Sequence, residues 1–122
     1  MKLAKDRPAT IMIIGAGGTG GYVIPHLYRI AQASGRTCRV IIDEGDIVEP
    51  KNLVRQNFAQ CDIGENKAAV MAERYSDVFG IEKEYIPEYI ENEKQLMEML
   101  TVSYNYWRPK PVSILIGAVD NN

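Results

Sequence analysis

The chain is poor in the cysteine and histidine that build zinc sites and disulfide frameworks, and its charges nearly cancel. It has two cysteines, one histidine and one tryptophan in 122 residues, and its net charge is only −2. Cys38 and Cys61 stand apart without a C-x-x-C, which argues against a zinc site or a disulfide scaffold and for reduced thiols in a cytoplasmic protein. The near-neutral balance gives no general nucleic-acid surface and no polybasic membrane anchor. No apolar run approaches transmembrane length, and Met1-Lys-Leu-Ala-Lys-Asp-Arg lacks the apolar stretch of a signal peptide. Internal repeats and low-complexity segments are missing too. One domain with a core of modest size is expected.

What is present centres on Ile11-Met-Ile-Ile-Gly15-Ala-Gly17-Gly18-Thr-Gly20-Gly21. Four apolar residues run into a glycine cluster, and an apolar-periodic segment follows. That order predicts a buried strand, a tight turn and a helix N-terminus. Gly15, Gly17 and Gly20 fit G-x-G-x-x-G, in which the glycines permit the turn, the approach of a phosphate and close helix–strand packing. Unpaired N–H groups of the helix's first turn then face the anion.

The rest of the chain alternates strand and helix. Strands are predicted at Thr10–Ile14, Cys38–Ile42, Ile81–Ile86 and Val112–Val119. A helix over Gly18–Ala33 has Val23, Leu27, Ile30 and Ala31 on its inner face, with a kink or irregular turn expected at Pro25. His26 reads as a surface residue of that helix, and Gly35 ends the element. Pro50 suits the start of a short helix over Lys51–Phe58. Asp62-Ile-Gly-Glu65 resembles a capping box for the next helix, whose core face is Ala68, Met71, Ala72, Tyr75, Val78 and Phe79, with Gly80 as its stop. Asn92 and Gln95 cap a further helix with Leu96, Met99 and Leu100 inward, and Tyr104–Pro111 is a loop. The fold class is therefore α/β, the first half of a doubly wound, Rossmann-like parallel sheet with flanking helices.

In such sheets ligands lie beyond the carboxyl ends of the strands. Three ends carry suitable chemistry: the glycine loop, Asp43 and Asp120. Asp43 follows Gly20 by 23 residues, the spacing at which a carboxylate accepts hydrogen bonds from a ribose. NAD, FAD, a methyl donor and ATP all fit this much. Asn52 and Arg55 are three apart and share one face of a short helix, while Lys67 falls in a helix's first turn. A guanidinium and an ammonium near the glycine loop favour a ligand more anionic than a dinucleotide, and a triphosphate fits.

Five motifs in order resemble the ThiF/MoeB/HesA family, the adenylating fold shared with ubiquitin-activating enzymes. They are Gly15-Ala-Gly17-Gly18-Thr-Gly20, Asp43 with Asp46, Asn52-Leu-Val-Arg55-Gln56, Gly64-Glu-Asn-Lys67 and Asp120-Asn121. The Gly-Thr-Gly, the proline-bearing first helix and Cys61-Asp-Ile-Gly-Glu-Asn-Lys-Ala resemble the ThiF-like proteins of bacterial mobile-element (PRTRC-type) systems. The resemblance implies that the glycine loop holds ATP phosphates and Asp43 the ribose. It also implies that Asn52, Arg55, Gln56 and Lys67 border the triphosphate and that Asp120 helps hold Mg²⁺. Arg55, Lys67 and Asp120 are the catalytic candidates. The implied reaction is attack of a carboxylate on the α-phosphate with loss of pyrophosphate. The carboxylate is often the C-terminal glycine of a ubiquitin-like or sulfur-carrier protein.

Asp43-Glu-Gly-Asp46 is one residue longer than the family's D-x-D, and Gly45 is expected to absorb the insertion. The family continues past Asp120, so residues 1–122 read as the ATP-binding half of an adenylation domain, truncated at its C-terminus, which binds nucleotide without completing catalysis. An open half-sheet and the family's habit both predict self-association, as a homodimer. Cys61 reads as an inert thiol. Tyr104, Tyr106 and Trp107 are assigned to a partner surface or to packing under the sheet. The competing readings are a dinucleotide-dependent oxidoreductase domain and a non-catalytic dimerisation module.

Overall fold

The computed structural model describes residues 8–90, 92, 94–95, 97–98 and 112–117. Its elements run β1 (Ala9–Ile14), α1 (Gly18–Ala33), β2 (Cys38–Asp43), two 3-10 turns (Pro50–Leu53 and Gln60–Asp62), α2 (Lys67–Phe79), β3 (Tyr85–Ile86) and β4 (Val112–Gly117). The four described strands form a parallel sheet in the order β3-β2-β1-β4. The chain therefore builds outward from β1 to β3 and then returns to the other side of β1. That reversal opens a crevice at the carboxyl end of β1, where open α/β sheets receive ligands.

The continuous apolar run of β1 follows from burial on both faces. Ile11 and Ile13 join Val40 and Ile42 in the core that α1 and α2 cover, and Ile114 and Ile116 pack against it in register. On the opposite face Thr10, Met12 and Ile41 are buried as well. The buried stripe of α1 is Ile24, Leu27, Tyr28 and Ala31, at i, i+3, i+4 and i+7. Of the predicted inner face, Leu27 and Ala31 are buried and Val23 packs against the core, whereas Ile30 lies beside the stripe and is 60% exposed. In α2, Ala68, Met71 and Ala72 are buried and Tyr75 and Phe79 pack against the core, whereas Val78 is exposed at the edge of that face.

Helix α1 spans Pro25 without a break. Proline removes the N–H that would bond the carbonyl four residues earlier, Gly21 O. The Asn57 side-chain amide donates to that carbonyl at 3.1 Å and to Tyr75 Oη at 2.9 Å. One amide thus compensates the helix defect and ties both helices together. Replacing Asn57 by Ala should destabilise the fold by about 1–2 kcal/mol, since it strands a carbonyl at a crowded helix junction. Urea denaturation of the variant checks this, and an unchanged midpoint would show that the carbonyl finds another donor.

Helix α2 begins four residues later than the apparent Asp62 box. Gly64 adopts φ +91°, which no helix tolerates, and Asn66 is the true cap, its side chain accepting from Ala69 N at 3.0 Å. Asp62 instead closes the preceding turn by accepting from Ala59 N at 2.8 Å and pairs with Arg74. Pro50 opens its turn as expected, but the helix stops at Leu53. β3 keeps only Tyr85 and Ile86 of the predicted strand. Gly80 ends α2 in the left-handed region, and Asn92 accepts from Gln95 N at 2.8 Å as anticipated. The loop aromatics Tyr104, Tyr106 and Trp107 lie outside the described residues, as do Leu96, Met99 and Leu100. No helix among the described residues is long and apolar enough to cross a membrane.

Candidate functional site

At the carboxyl edge of the sheet lies an open cleft of about 800 Å³, bounded by the glycine loop, the loop after β2, the Pro50–Leu53 turn and the start of α2. Gly15 has φ +106°, a conformation that excludes a side chain, and its N–H bonds Asp43 O at 2.9 Å. Gly17 is the cap residue of α1 and offers no side chain to the helix's first N–H groups. No acidic residue occupies that first turn. The positive end of a sixteen-residue helix is thereby left facing the cleft, with Gly15, Gly17 and Gly18 in its wall.

Asp43 closes β2 and is 1% exposed, yet its Oδ2 has no hydrogen-bond partner. Burial pushes its carboxyl up to about 7, and the neighbouring Glu44 and Glu88 charges add to the effect. A buried acceptor at a cleft wall, costly when unpaired, is poised for a hydroxyl donor. Glu44, in the segment one residue longer than D-x-D, reaches back to accept from Ala16 N at 3.2 Å and from Gly45 N at 2.9 Å. It braces the glycine loop against the loop after β2. Gly45 is not in the left-handed region, so it absorbs the insertion by lacking a side chain rather than by unusual φ.

Asn66 fixes the other wall. Besides capping α2, its amide donates to Glu44 O at 2.8 Å, and Lys67 N donates to Asp46 O at 3.0 Å. The start of α2 is thus stitched to the loop after β2. Lys67 is 5% exposed and places its ammonium 3.7 Å from Asp46 Oδ2. At that distance the pair is ionic contact rather than a hydrogen bond, and a phosphate oxygen can compete for the cation.

Of the other sequence candidates, Asn52 and Gln56 line the cleft. Asn52 is buried and its Oδ1 accepts from Glu49 N at 2.7 Å, so half its amide is spent on holding the turn. Gln56 lies against the glycine loop, where a Cβ at Gly17 would stand 3.6 Å from its Nε2, and its Oε1 is buried without a partner. Gly20 is buried inside α1, behind the cleft wall. Arg55 is exposed and does not line the cleft, because the turn that was to carry it beside Asn52 ends at Leu53. No ion pair holds it among the described residues. Asp120 and Asn121 lie outside those residues. Among the described residues no group of three or more His, Cys, Asp or Glu is placed to hold a metal.

Glu44, Tyr89 and Ile90 were missed from sequence. Each reaches the cleft through contacts with residues distant in the chain, which no local pattern encodes. The only signal was the extra residue in Asp43-Glu-Gly-Asp46.

The ThiF family profile matches residues 2–122. The chain belongs to the ThiF family. This ThiF-family chain resembles E. coli MccB in its structure with ATP, at 27% identity and a TM-score of 0.61, over 74% of this chain and 26% of MccB. E. coli tRNA N6-threonylcarbamoyladenosine dehydratase, TcdA, in complex with AMP, shares the fold at 23% identity and a TM-score of 0.72, over 93% of this chain and 42% of TcdA. MccB with AMPCPP and MccA matches similarly, at 27% identity and a TM-score of 0.62, over 75% of this chain and 26% of MccB. The chain thus spans about a quarter of the length of MccB and about two fifths of that of TcdA. No curated protein sequence matches it.

Proposed function

We propose that residues 1–122 form the nucleotide-binding half of an ATP-dependent adenylyltransferase that activates a carboxylate. The observation that carries this is the buried, unpartnered Asp43 carboxyl in a cleft that the uncapped start of α1 and Lys67 also line. An acceptor for ribose, a cradle of backbone N–H groups and a buried cation line one cleft. Family membership and the ATP held by MccB support the same ligand.

In the reaction the substrate carboxylate oxygen bonds to the α-phosphorus while the bond to the β-phosphate oxygen breaks and pyrophosphate leaves. This chain's contribution is alignment and charge. The helix dipole and glycine-loop N–H groups hold the phosphates, Asp43 fixes the nucleoside, and Lys67 neutralises charge on the leaving group. Gln56 buttresses the glycine loop, Asn52 holds the turn beneath it, and Arg55 closes onto the phosphates from its exposed position. Mg²⁺ held by Asp120 would supply Lewis-acid chemistry there. The C-terminus of a ubiquitin-like or sulfur-carrier protein is the proposed substrate. A homodimeric, cytoplasmic protein with catalytic machinery completed beyond this half is the proposed setting.

Titration calorimetry tests the ligand. Mg-ATP should bind about tenfold or more tightly than NAD, because Lys67 and the uncapped helix reward added phosphate charge. NAD binding equal to or tighter than ATP would return the oxidoreductase reading.

A further inference from the structure

We propose that Tyr89 recognises the base of the nucleotide, offering its ring as a stacking platform for a purine whose ribose is held by Asp43. The inference rests on the nucleotide-binding reading and deepens it, since nothing in the motif set supplies a group for the base.

The strand order carries the argument. At the carboxyl edge the glycine loop follows β1, Asp43 ends β2, and Tyr89 follows β3, the next strand along. Tyr89 folds back from the end of β3 onto Gly45 and Asp46, so its ring lies beside the end of β2 that carries Asp43. Phosphate, ribose and base are joined in the same order as glycine loop, Asp43 and Tyr89. Tyr89 and Ile90 line the cleft that contains the other two groups.

The ring is also held as a platform must be. A Cβ at Gly45 would stand 2.5–2.7 Å from three Tyr89 ring atoms, so the ring lies directly on the Gly45 backbone and only glycine permits it. The Tyr89 hydroxyl donates to Asp46 Oδ1, whose other oxygen faces the Lys67 ammonium. One ring face and the hydroxyl are therefore occupied, yet Tyr89 is 57% exposed. A tyrosine that merely covered the loop would bury its ring. This one is pre-oriented with apolar surface open to the cleft, which lowers the ordering cost of stacking. Every base has a π-face, so the platform adds affinity for the nucleotide and none for phosphate alone.

Calorimetry of the purified protein and its variants with Mg-ATP and with inorganic tripolyphosphate tests this. Tyr89→Ala should weaken ATP binding by roughly 5- to 100-fold and leave tripolyphosphate within about twofold. Tyr89→Phe should keep most of the ATP affinity, because the ring persists. Gly45→Ala should reproduce the Tyr89→Ala loss by displacing the ring while Tyr89 is still present. Wild-type stacking should also quench the fluorescence of 2-aminopurine riboside triphosphate, and Tyr89→Ala should abolish the quench. If wild type binds ATP and Tyr89→Ala binds it equally well, the platform is overturned and the nucleotide reading survives. Equal loss of ATP and tripolyphosphate makes Tyr89 a loop support and overturns it too. Wild type that binds no nucleotide removes the reading beneath it.

Discussion

Asp43→Asn should stabilise the ligand-free protein at pH 8 while weakening its hold on ATP. The carboxyl titrates near 7 in the fold and near 3.8 in the unfolded chain. Its folded pKa is raised, so the stability it contributes is fully present below about pH 4 and is lost as pH rises through about 7. Above that range the fold carries a buried charge with no partner for Oδ2. A shift of about three units sets a ceiling near 4 kcal/mol. The open cleft beside Asp43 lowers that, and about 1–3 kcal/mol is expected. Asparagine cannot ionise, so its unfolding free energy should lack this decline between about pH 4 and 7. ATP affinity should fall by about 10- to 100-fold at pH 8, the worth of hydrogen bonds to a charged acceptor. The ratio of wild-type to variant affinity should grow from pH 6 to pH 8, and taking the ratio cancels the ligand's own titration. Denaturation across pH, paired with calorimetry, measures both arms. A variant no more stable than wild type at pH 8 would mean that Asp43 is solvated and its position incidental.

A residue that costs the empty fold stability yet sits at a strand end is what a binding site looks like energetically. The same trade appears at Gln56, whose Oε1 is buried without a partner against the glycine loop. It does not appear at Asn52, whose amide oxygen is satisfied within its own turn. Among the motif residues lining the cleft, Asp43 and Gln56 are the two with a fully buried side-chain oxygen that meets no hydrogen-bond partner.

Much of the architecture was legible because burial on both sheet faces writes an unbroken apolar run, as in Ile11–Ile14, and because Gly15 and Gly80 stand where φ is positive. Helix α1 was read to its ends for the same reason. The start of α2 was misread since a local Asp-x-x-Glu pattern competes with a distant demand. Asn66 wins the capping position because its side chain also holds the Glu44 and Asp46 carbonyls. Ile30 and Val78 read as inward from apolarity, but the buried stripes run through Ile24, Leu27, Tyr28 and Ala31 and through Ala68, Met71 and Ala72, which leaves both outside them. The Asp46 partners, Lys67 and Tyr89, and the Glu44 brace across the glycine loop depend on how loops meet over the sheet edge. That information is tertiary, and no window of sequence contains it.

Lys67 is the cation the geometry best places for chemistry. Its side chain is 6% exposed, and it meets Asp46 across 3.7 Å while facing the same cleft as the glycine loop. The other cation in the lining, Lys51, is 79% exposed and bonded to Glu49 at 3.2 Å, so it offers little fixed charge. Lys67→Ala should slow ATP–pyrophosphate exchange by about 10²–10³-fold, roughly 2.7–4 kcal/mol, the loss associated with one pre-organised donor at developing charge. ATP affinity should fall much less, because the helix and glycine loop still hold the phosphates. The fold should survive, since Asp46 is half exposed and rehydrates once its partner is gone. Lys67→Arg should recover little, as a planar guanidinium does not fit a slot that encloses an ammonium. Arg55→Ala is the companion measurement. An exposed guanidinium that closes on the phosphates should affect exchange more than binding, and Arg55→Lys should not replace its fork. If Lys67→Ala exchanges pyrophosphate at the wild-type rate, Lys67 serves only to anchor Asp46, and the cleft binds a nucleotide without acting on it.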